Sequence, residues 1–108
     1  MSDFSFEDWK KIDLRVGEIA TVEDHPNADK LVVMTVDMGN ETRTLVAGLK
    51  EHYDTDELVG KKVVVFTNLE QKELRGVKSE GMVLAAVNDD TVVLISPEMD
   101  IPNGARIQ

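Results

Sequence analysis

The strongest constraint on the fold is a series of short, β-branched apolar segments, each of which ends at a turn signal. Residues 62–69 (KVVVFTNL) are the clearest of them, because valine and phenylalanine are enriched in strands. Residues 12–22 alternate apolar side chains with polar or small ones, which predicts a half-buried strand. Gly17 lies inside this long strand, and we expect the strand to bend there.

The remaining strands are short and are separated by turns. They are predicted at residues 30–38, 42–49, 81–87 and 91–95. The first two are joined by Gly39 and Asn40, which tolerate the positive φ that a tight hairpin turn requires. The last two are joined by the polar turn at residues 88–90.

Helical signals are confined to two short stretches. A helix is predicted at residues 6–11, since Ser5 precedes it as an N-cap and acidic residues occupy its first turn. A single helical turn is predicted after the third strand, beginning at Asp54 or Thr55 and ending at Gly60. Neither stretch is long enough to form a helical layer.

This pattern predicts an all-β fold. The chain has 108 residues, the size of one ordinary domain, and we treat residues 1–108 as a single domain. At this size a closed barrel best protects the strand edges. The helical turn between the third and fourth strands favours the five-stranded oligonucleotide-binding (OB) barrel, here with short helices and a C-terminal extension.

Composition excludes several classes of function. The chain has no cysteine, so disulfides, thiolate metal sites and a cysteine nucleophile are ruled out. The apolar runs are too short to span a bilayer, and the first residues lack a basic region followed by an apolar one. We therefore expect a cytoplasmic protein without membrane attachment.

The charge distribution bears on nucleic-acid binding. The formal net charge of −9 disfavours a phosphate-rich ligand, because phosphate contacts need Lys and Arg. Residues 68–86 nevertheless carry Lys72, Arg75 and Lys78, interleaved with three acidic residues. A local basic surface is therefore compatible with the acidic chain.

Four segments together indicate a family. They are residues 11–19 (KIDLRVGEI), 25–31 (HPNADKL), 43–49 (RTLVAGL) and 60–86 (GKKVVVFTNLEQKELRGVKSEGMVLAA). In order and spacing they resemble the tRNA-binding domain family, over nearly the whole chain. That family includes the C-terminal appendix of methionyl-tRNA synthetases, free-standing tRNA-binding proteins, the tRNA-binding half of the endothelial monocyte-activating polypeptide precursor and, more distantly, CsaA-type chaperones.

The resemblance implies an OB barrel that binds tRNA without chemistry, mainly through backbone and shape, and that forms homodimers. It also implies methionyl-tRNA synthetase as a possible companion, and neither a cofactor nor a metal. The sequence departs from the family pattern at Gln71, where proline is typical, at Glu73, where a cation is typical, and at Ala47, where serine is common. These departures bear on affinity rather than on fold.

The candidate tRNA contacts lie mainly in the segment after residue 68. They are Asn68, Lys72, Arg75, Lys78, Ser79 and Met82, with Lys30 and Arg43 at the starts of the second and third strands as a second tier. Some of these residues fit two roles equally well. Asn68 suits a base edge or a turn cap, and Met82 suits base stacking or the core. A cation such as Arg75 is, by composition alone, more often only solvated.

Two other classes of function were weighed. His25 and Asp29 invite an acid-base role, but residues 25–29 form a turn sequence in which local backbone bonds satisfy His25. No nucleophile motif accompanies them, so we expect no enzyme. The alternative to tRNA binding is a CsaA-like peptide chaperone or protein-interaction module, which the acidic charge and Glu73 favour.

Overall fold

The computed structural model describes residues 3–108. It contains two short helices, α1 (Phe6–Trp9) and α2 (Thr55–Leu58). Its strands are β1 (Leu14–Asp24), β2 (Val32–Asp37), β3 (Thr42–Ala47), β4 (Lys62–Phe66), β5 (Lys72–Leu74), β6 (Val77–Ser79), β7 (Met82–Val83), β8 (Ala85–Asn88) and β9 (Thr91–Leu94).

Five strands form one antiparallel sheet in the order β3-β2-β1-β4-β7. The sheet curls so that β3, at one edge, approaches the chain between β6 and β7. There the Glu80 amide donates to the Thr44 carbonyl at 2.8 Å, and the Val46 amide donates to Ser79 Oγ at 3.0 Å. These bonds nearly close the barrel, and the predicted five-stranded OB architecture is confirmed.

The barrel interior is filled by aliphatic side chains. Ile19, Met34, Leu45 and Val63 are fully buried and belong to one cluster, which supplies the apolar burial that stabilises a small domain. Leu58 of α2 is also fully buried in this cluster. The helical turn therefore lies between the third and fourth strands, as predicted, and packs against the barrel.

Strand β1 differs from the prediction in the place of its irregularity. Gly17 pairs regularly with Val63, and the register shifts instead between Ile19 and Thr21. The expected bend at Gly17 is therefore wrong. Gly17 is required for close packing, because an added Cβ would lie 2.6 Å from Val36 Cγ1, a distance that Cβ atoms do not tolerate.

The predicted strand at residues 81–87 is two strands. β7 pairs with β4, whereas β8 leaves the barrel and pairs with β9 as a separate two-stranded ribbon. Leu84 lies between β7 and β8 and links the two sheets, since its amide donates to the Val64 carbonyl of the barrel and its carbonyl accepts from the Ile95 amide. The apolar pattern is continuous across this change of partner, so periodicity did not reveal it.

The C-terminal extension lies along the first residues of β1, before the part that pairs with β2. The Val16 amide donates to the Ala105 carbonyl at 2.9 Å, and the Gly104 amide donates to the Val16 carbonyl at 2.7 Å. Arg15 reinforces this contact through bonds to Asp13 at 2.9 Å and to the Gly104 carbonyl at 3.2 Å. The ion pair of Arg15 and Asp13 is therefore structural.

Candidate nucleic-acid interface

The segment that carries the three candidate cations is a β-hairpin that the sequence did not predict. β5 and β6 pair through Lys72–Ser79, Glu73–Lys78 and Leu74–Val77. Arg75 and Gly76 form the two-residue turn, with φ of 54° and 92°. Such turns match the twist of the flanking strands when both central residues have positive φ. Arg75 adopts a conformation that normally favours glycine or asparagine.

The alternation of side chains gives the hairpin an inner and an outer face. Ser79 is buried, and Leu74 and Val77 are half-buried on the same side. Glu73 and Lys78 are exposed and lie directly opposite each other on the outer side. The hairpin thus rests its apolar face on the barrel and directs Lys78 into solvent beside a carboxylate.

The hairpin cations are free of ion pairs within residues 3–108. Six of the 12 Lys and Arg residues form ion pairs there, namely Lys10, Lys11, Arg15, Arg43, Lys50 and Lys62. Lys72, Arg75 and Lys78 do not, and all three are exposed. A cation that forms no ion pair in the protein does not have to break one in order to bind an external anion.

Two further candidates lie on exposed surface. Met82 pairs with Phe66 in the barrel and leaves 48% of its area exposed, so it is available as a stacking surface. Lys30 is exposed in the turn before β2 rather than in the strand, which corrects its predicted position. That turn belongs to residues 25–31, a loop that contacts the hairpin through Asn27 and Arg75.

Three candidates use their polar atoms inside the protein. Ser79 Oγ accepts from Val46 and donates to the Gly81 carbonyl at 2.9 Å. Asn68 accepts from the Asp13 amide at 2.8 Å and donates to the Lys11 carbonyl at 2.6 Å. Asn68 therefore ties the end of β4 to the chain before β1.

Arg43 is likewise engaged within the barrel. Its Nη1 donates to the carbonyls of Thr67 at 2.6 Å and Glu80 at 3.0 Å. Its Nε donates to Glu41 at 3.0 Å, and only 20% of its side chain is exposed. Arg43 thus ties β3 to the chain that flanks the hairpin.

Sequence reasoning missed the role of the 25–31 loop in holding the hairpin. His25 Nδ1 accepts from the Asn27 amide at 2.9 Å, which is the local bond that the turn sequence predicted. His25 Nε2 also contacts the Leu74 carbonyl at 2.8 Å. Asn27 Nδ2 donates to the Arg75 carbonyl at 3.3 Å. A histidine and an asparagine in one turn were the available signal, but they did not identify the partner.

A groove is formed by α1, Ile12 and residues 106–108. It has a volume of about 500 Å³ and is lined by the apolar side chains of Phe6, Trp9, Ile12 and Ile107 and by three polar residues, Lys10, Arg106 and Gln108. Phe4 and Phe6 are 67% and 68% exposed. Because Phe6 adjoins the other apolar side chains of the groove, this surface is a candidate interaction site.

No group of three or more His, Cys, Asp or Glu side chains among residues 3–108 is arranged to hold a metal ion. In the same range no helix has the length and apolar character to cross a bilayer.

Comparison with known proteins decides the family. The family model described as "Putative tRNA binding domain" matches residues 14–106. The chain belongs to the tRNA-binding domain family. Its members share this barrel, and the resemblance carried by the four sequence segments is confirmed.

Relatives of this tRNA-binding domain include much longer proteins. The chain is 55% identical over 103 residues to the methionine–tRNA ligase of Thermococcus onnurineus, covering 95% of this chain and 14% of that protein. It is 53% identical over all 108 residues to the ligase of Pyrococcus furiosus, of which it covers 15%. The chain thus spans about one seventh of the length of these ligases.

Solved structures include relatives of the same length. The MetRS-related protein from Pyrococcus horikoshii matches with a TM-score of 0.93 and 35% identity, covering 100% of both chains. The chaperone CsaA from Bacillus anthracis matches with a TM-score of 0.89 and 31% identity, covering 99% of this chain and 100% of that one. The tRNA-binding domain fold therefore occurs in proteins named for two different activities.

Proposed function

We propose that this chain is a non-catalytic module that binds folded tRNA through the β5–β6 hairpin. The observation that carries the proposal is the set of three exposed cations, Lys72, Arg75 and Lys78, which lack ion pairs on a hairpin that rests on a tRNA-binding-family barrel. Exposed cations on a fixed scaffold contact phosphates and set the register of the protein on RNA. Recognition of this kind depends on the shape of the RNA backbone.

Arg75 is the central contact in this proposal. Arg75 lies in the two-residue turn of the hairpin with a left-handed backbone, and it is exposed. Residues held in sparsely populated conformations cluster at functional sites. A glycine or asparagine would fit this turn with less strain, so the turn conformation by itself does not account for an arginine here.

The other predicted site residues divide into contacts and supports. Met82 offers an exposed thioether surface for a base, and Lys30 offers a second cation on the neighbouring loop. Ser79, Asn68 and Arg43 instead hold the hairpin and its flanks through their internal hydrogen bonds. These three residues support binding by fixing where the contacts lie.

Glu73 weakens this site. It lies directly opposite Lys78 on the exposed face, where opposite charges attract. The carboxylate also repels an approaching phosphate. Each single module therefore has modest affinity for RNA.

A homodimer compensates for this modest affinity. We propose that Phe4, Phe6 and the groove lined by Trp9 and Ile107 pair with the same surface of a second copy, as a two-fold interface requires. Two hairpins on one folded RNA gain affinity by raising the effective concentration of the second site. The mass of the Phe6→Asp variant, measured by light scattering, tests this pairing, and a variant that keeps the mass of a dimer would contradict it.

In the cell the module gives a synthetase additional affinity for tRNA during aminoacylation. The sequence relatives described above are methionine–tRNA ligases, and one of the relatives that match over their full length is a MetRS-related protein. We propose that it acts in the cytoplasm either as part of a synthetase or in trans as its companion. In this proposal the aminoacylation chemistry belongs to the synthetase.

A second candidate function is peptide binding. The likeness to the chaperone CsaA and the exposed Phe4 and Phe6 favour it. An apolar peptide would then occupy the groove lined by Phe6, Trp9, Ile12 and Ile107. This function does not use the hairpin cations, which separates the two candidates experimentally.

The test is a charge reversal on the hairpin. In filter binding with unfractionated tRNA, the Arg75→Glu, Lys78→Glu double variant should lose at least tenfold in affinity at about 0.1 M salt, since each phosphate contact is worth about five- to eightfold there. The control is Lys11→Glu with Lys61→Glu, which makes the same change of net charge outside the hairpin. Equal losses of affinity in both double variants would show that the effect comes from net charge alone, and would overturn the hairpin site.

A further inference from the structure

We propose that His25 is a positioning residue for the tRNA-binding hairpin and that it acts through the hydrogen bond from its Nε2 to the Leu74 carbonyl. The proposal rests on the hairpin site put forward above for its effect on RNA, although anchoring itself is measured without RNA. His25 does not lie on the exposed surface, because only 6% of its area is accessible. It therefore affects RNA binding only through the structure that it holds.

The hydrogen bonds of His25 determine its tautomer. Nδ1 accepts from the Asn27 amide at 2.9 Å, so the proton of the neutral ring lies on Nε2. Nε2 then donates to the Leu74 carbonyl at 2.8 Å. Both ring nitrogens are used, one within its own loop and one across to the hairpin. The ring thereby links the 25–31 loop to the end of β5.

The link acts next to the strained turn. Leu74 directly precedes Arg75, and the Arg75 carbonyl accepts from Asn27 Nδ2 at 3.3 Å. Two successive carbonyls of the hairpin are thus held by two side chains of one loop. Asn27 is itself placed by the hydrogen bond that its backbone amide donates to His25 Nδ1. The histidine therefore fixes both contacts, one directly and one through Asn27.

The hairpin needs such a link because it is short. β5 and β6 form a two-stranded sheet of three residue pairs, and isolated hairpins of this kind are marginally stable in water. Ser79 secures the β6 end by its bond to Val46. The β5 end and the turn are secured by His25 and Asn27. A hairpin fixed at both ends presents Arg75 without a further ordering cost on binding.

The experiment compares two substitutions that each retain one half of the histidine. The His25→Gln variant keeps a donor near the position of Nε2 and loses the acceptor for Asn27, whereas His25→Asn keeps an acceptor near Nδ1 and loses the donor to Leu74. We expect His25→Asn to lower tRNA affinity about three- to tenfold, which corresponds to the net contribution of one hydrogen bond. His25→Gln keeps the direct bond to Leu74 and loses only the indirect contact through Asn27, so its loss of affinity should be smaller than that of His25→Asn.

Amide hydrogen exchange over residues 72–79 is measured on the same samples without RNA. It should accelerate in His25→Asn and accelerate less in His25→Gln, while exchange in β1 and β4 stays unchanged in both. Unchanged β1 and β4 exchange shows that each variant is folded. If both variants accelerate hairpin exchange equally, or if neither does, the donor to Leu74 is not the anchor and the proposal is overturned.

Failure of the positioning role and failure of the hairpin site give different results. If His25→Asn loosens the hairpin but binds tRNA like the parent, while Arg75→Glu still lowers affinity, His25 does not position the contacts and the inference is overturned. If Arg75→Glu leaves affinity unchanged in the parent chain, the hairpin site itself is wrong. The exchange measurement then decides by itself whether His25 anchors the hairpin.

Discussion

The replacement of Arg75 by asparagine should raise stability and lower RNA affinity at the same time. Arg75 has a φ of 54°, and a left-handed backbone costs an ordinary L-residue about 1–2 kcal/mol. Asparagine followed by glycine is a favoured pair for this turn. Because asparagine relieves only part of the cost, we expect the free energy of unfolding to rise by about 0.5–1 kcal/mol.

The loss of affinity follows from the loss of one phosphate contact. One contact contributes about 0.7–0.9 to the slope of log K against log salt concentration. Between 1 M and 0.1 M salt this slope corresponds to a factor of about five to eight in affinity. Filter binding with tRNA at several salt concentrations should therefore show a shallower slope and a loss of this size, while urea unfolding followed by circular dichroism shows the gain in stability.

Two control variants separate backbone strain from charge. Arg75→Lys keeps the charge and the strained backbone, so both the unfolding free energy and the salt slope should remain close to the parent values. Lys78→Asn removes a charge from a strand position, so it should reduce the slope without raising stability. An Arg75→Asn variant with the parent salt slope would refute the phosphate contact, and one without a gain in stability would refute the strain assigned to the turn.

Three further predictions concern other parts of the molecule. Glu73→Lys should raise tRNA affinity about five- to eightfold at about 0.1 M salt by adding a phosphate contact opposite Lys78, whereas the same change at Asp90, on the distant β8–β9 turn, should have little effect in the same filter-binding assay. Gly17→Ala should lower the free energy of unfolding by about 1–3 kcal/mol in urea, since its Cβ would lie 2.6 Å from Val36 Cγ1; an unchanged midpoint would show that β2 moves aside without cost. The hydrogen bond and charge of Lys62, 2.8 Å from Asp100, hold the pKa of Asp100 below its ordinary value of 3.8. This ion pair stabilises the fold above that ordinary value and is lost as the pH falls through the lowered pKa. A carboxyl titration by NMR should therefore show the Asp100 pKa returning toward 3.8 in Lys62→Met, and an unmoved titration would contradict the pairing.

Much of the barrel was predictable because its signals are local. The valines of β4 and the alternation in β1 favour strands over any helix. Gly39 and Gly60 have φ of 92° and 91°, and both lie where the sequence predicted a turn or a helix end. The N-cap at Ser5 was also predicted, and its Oγ accepts from the Asp8 amide at 3.0 Å. Each of these features depends on residues only a few positions apart.

The hairpin was not predictable by the same means. Its strands have three residues each, which is too short for alternation to be recognised. Arg75 at a positive φ is also not a usual turn residue. The two strands form because Ser79 and His25 hold them against the barrel and the 25–31 loop.

The sequence by itself determined the all-β class, the approximate positions of β1 to β4, the family and the segment in which the hairpin cations lie. The tertiary structure decided which of those side chains face solvent and which are used internally. Arg43, Asn68 and Ser79 are candidates from the same sequence reasoning as the hairpin cations, yet each makes a hydrogen bond that joins positions 24 to 57 residues apart. The bond from His25 to Leu74 spans 49 positions. Such contacts exist only after the barrel has closed, because closure brings distant backbone groups within hydrogen-bonding distance and removes the water that would otherwise satisfy them.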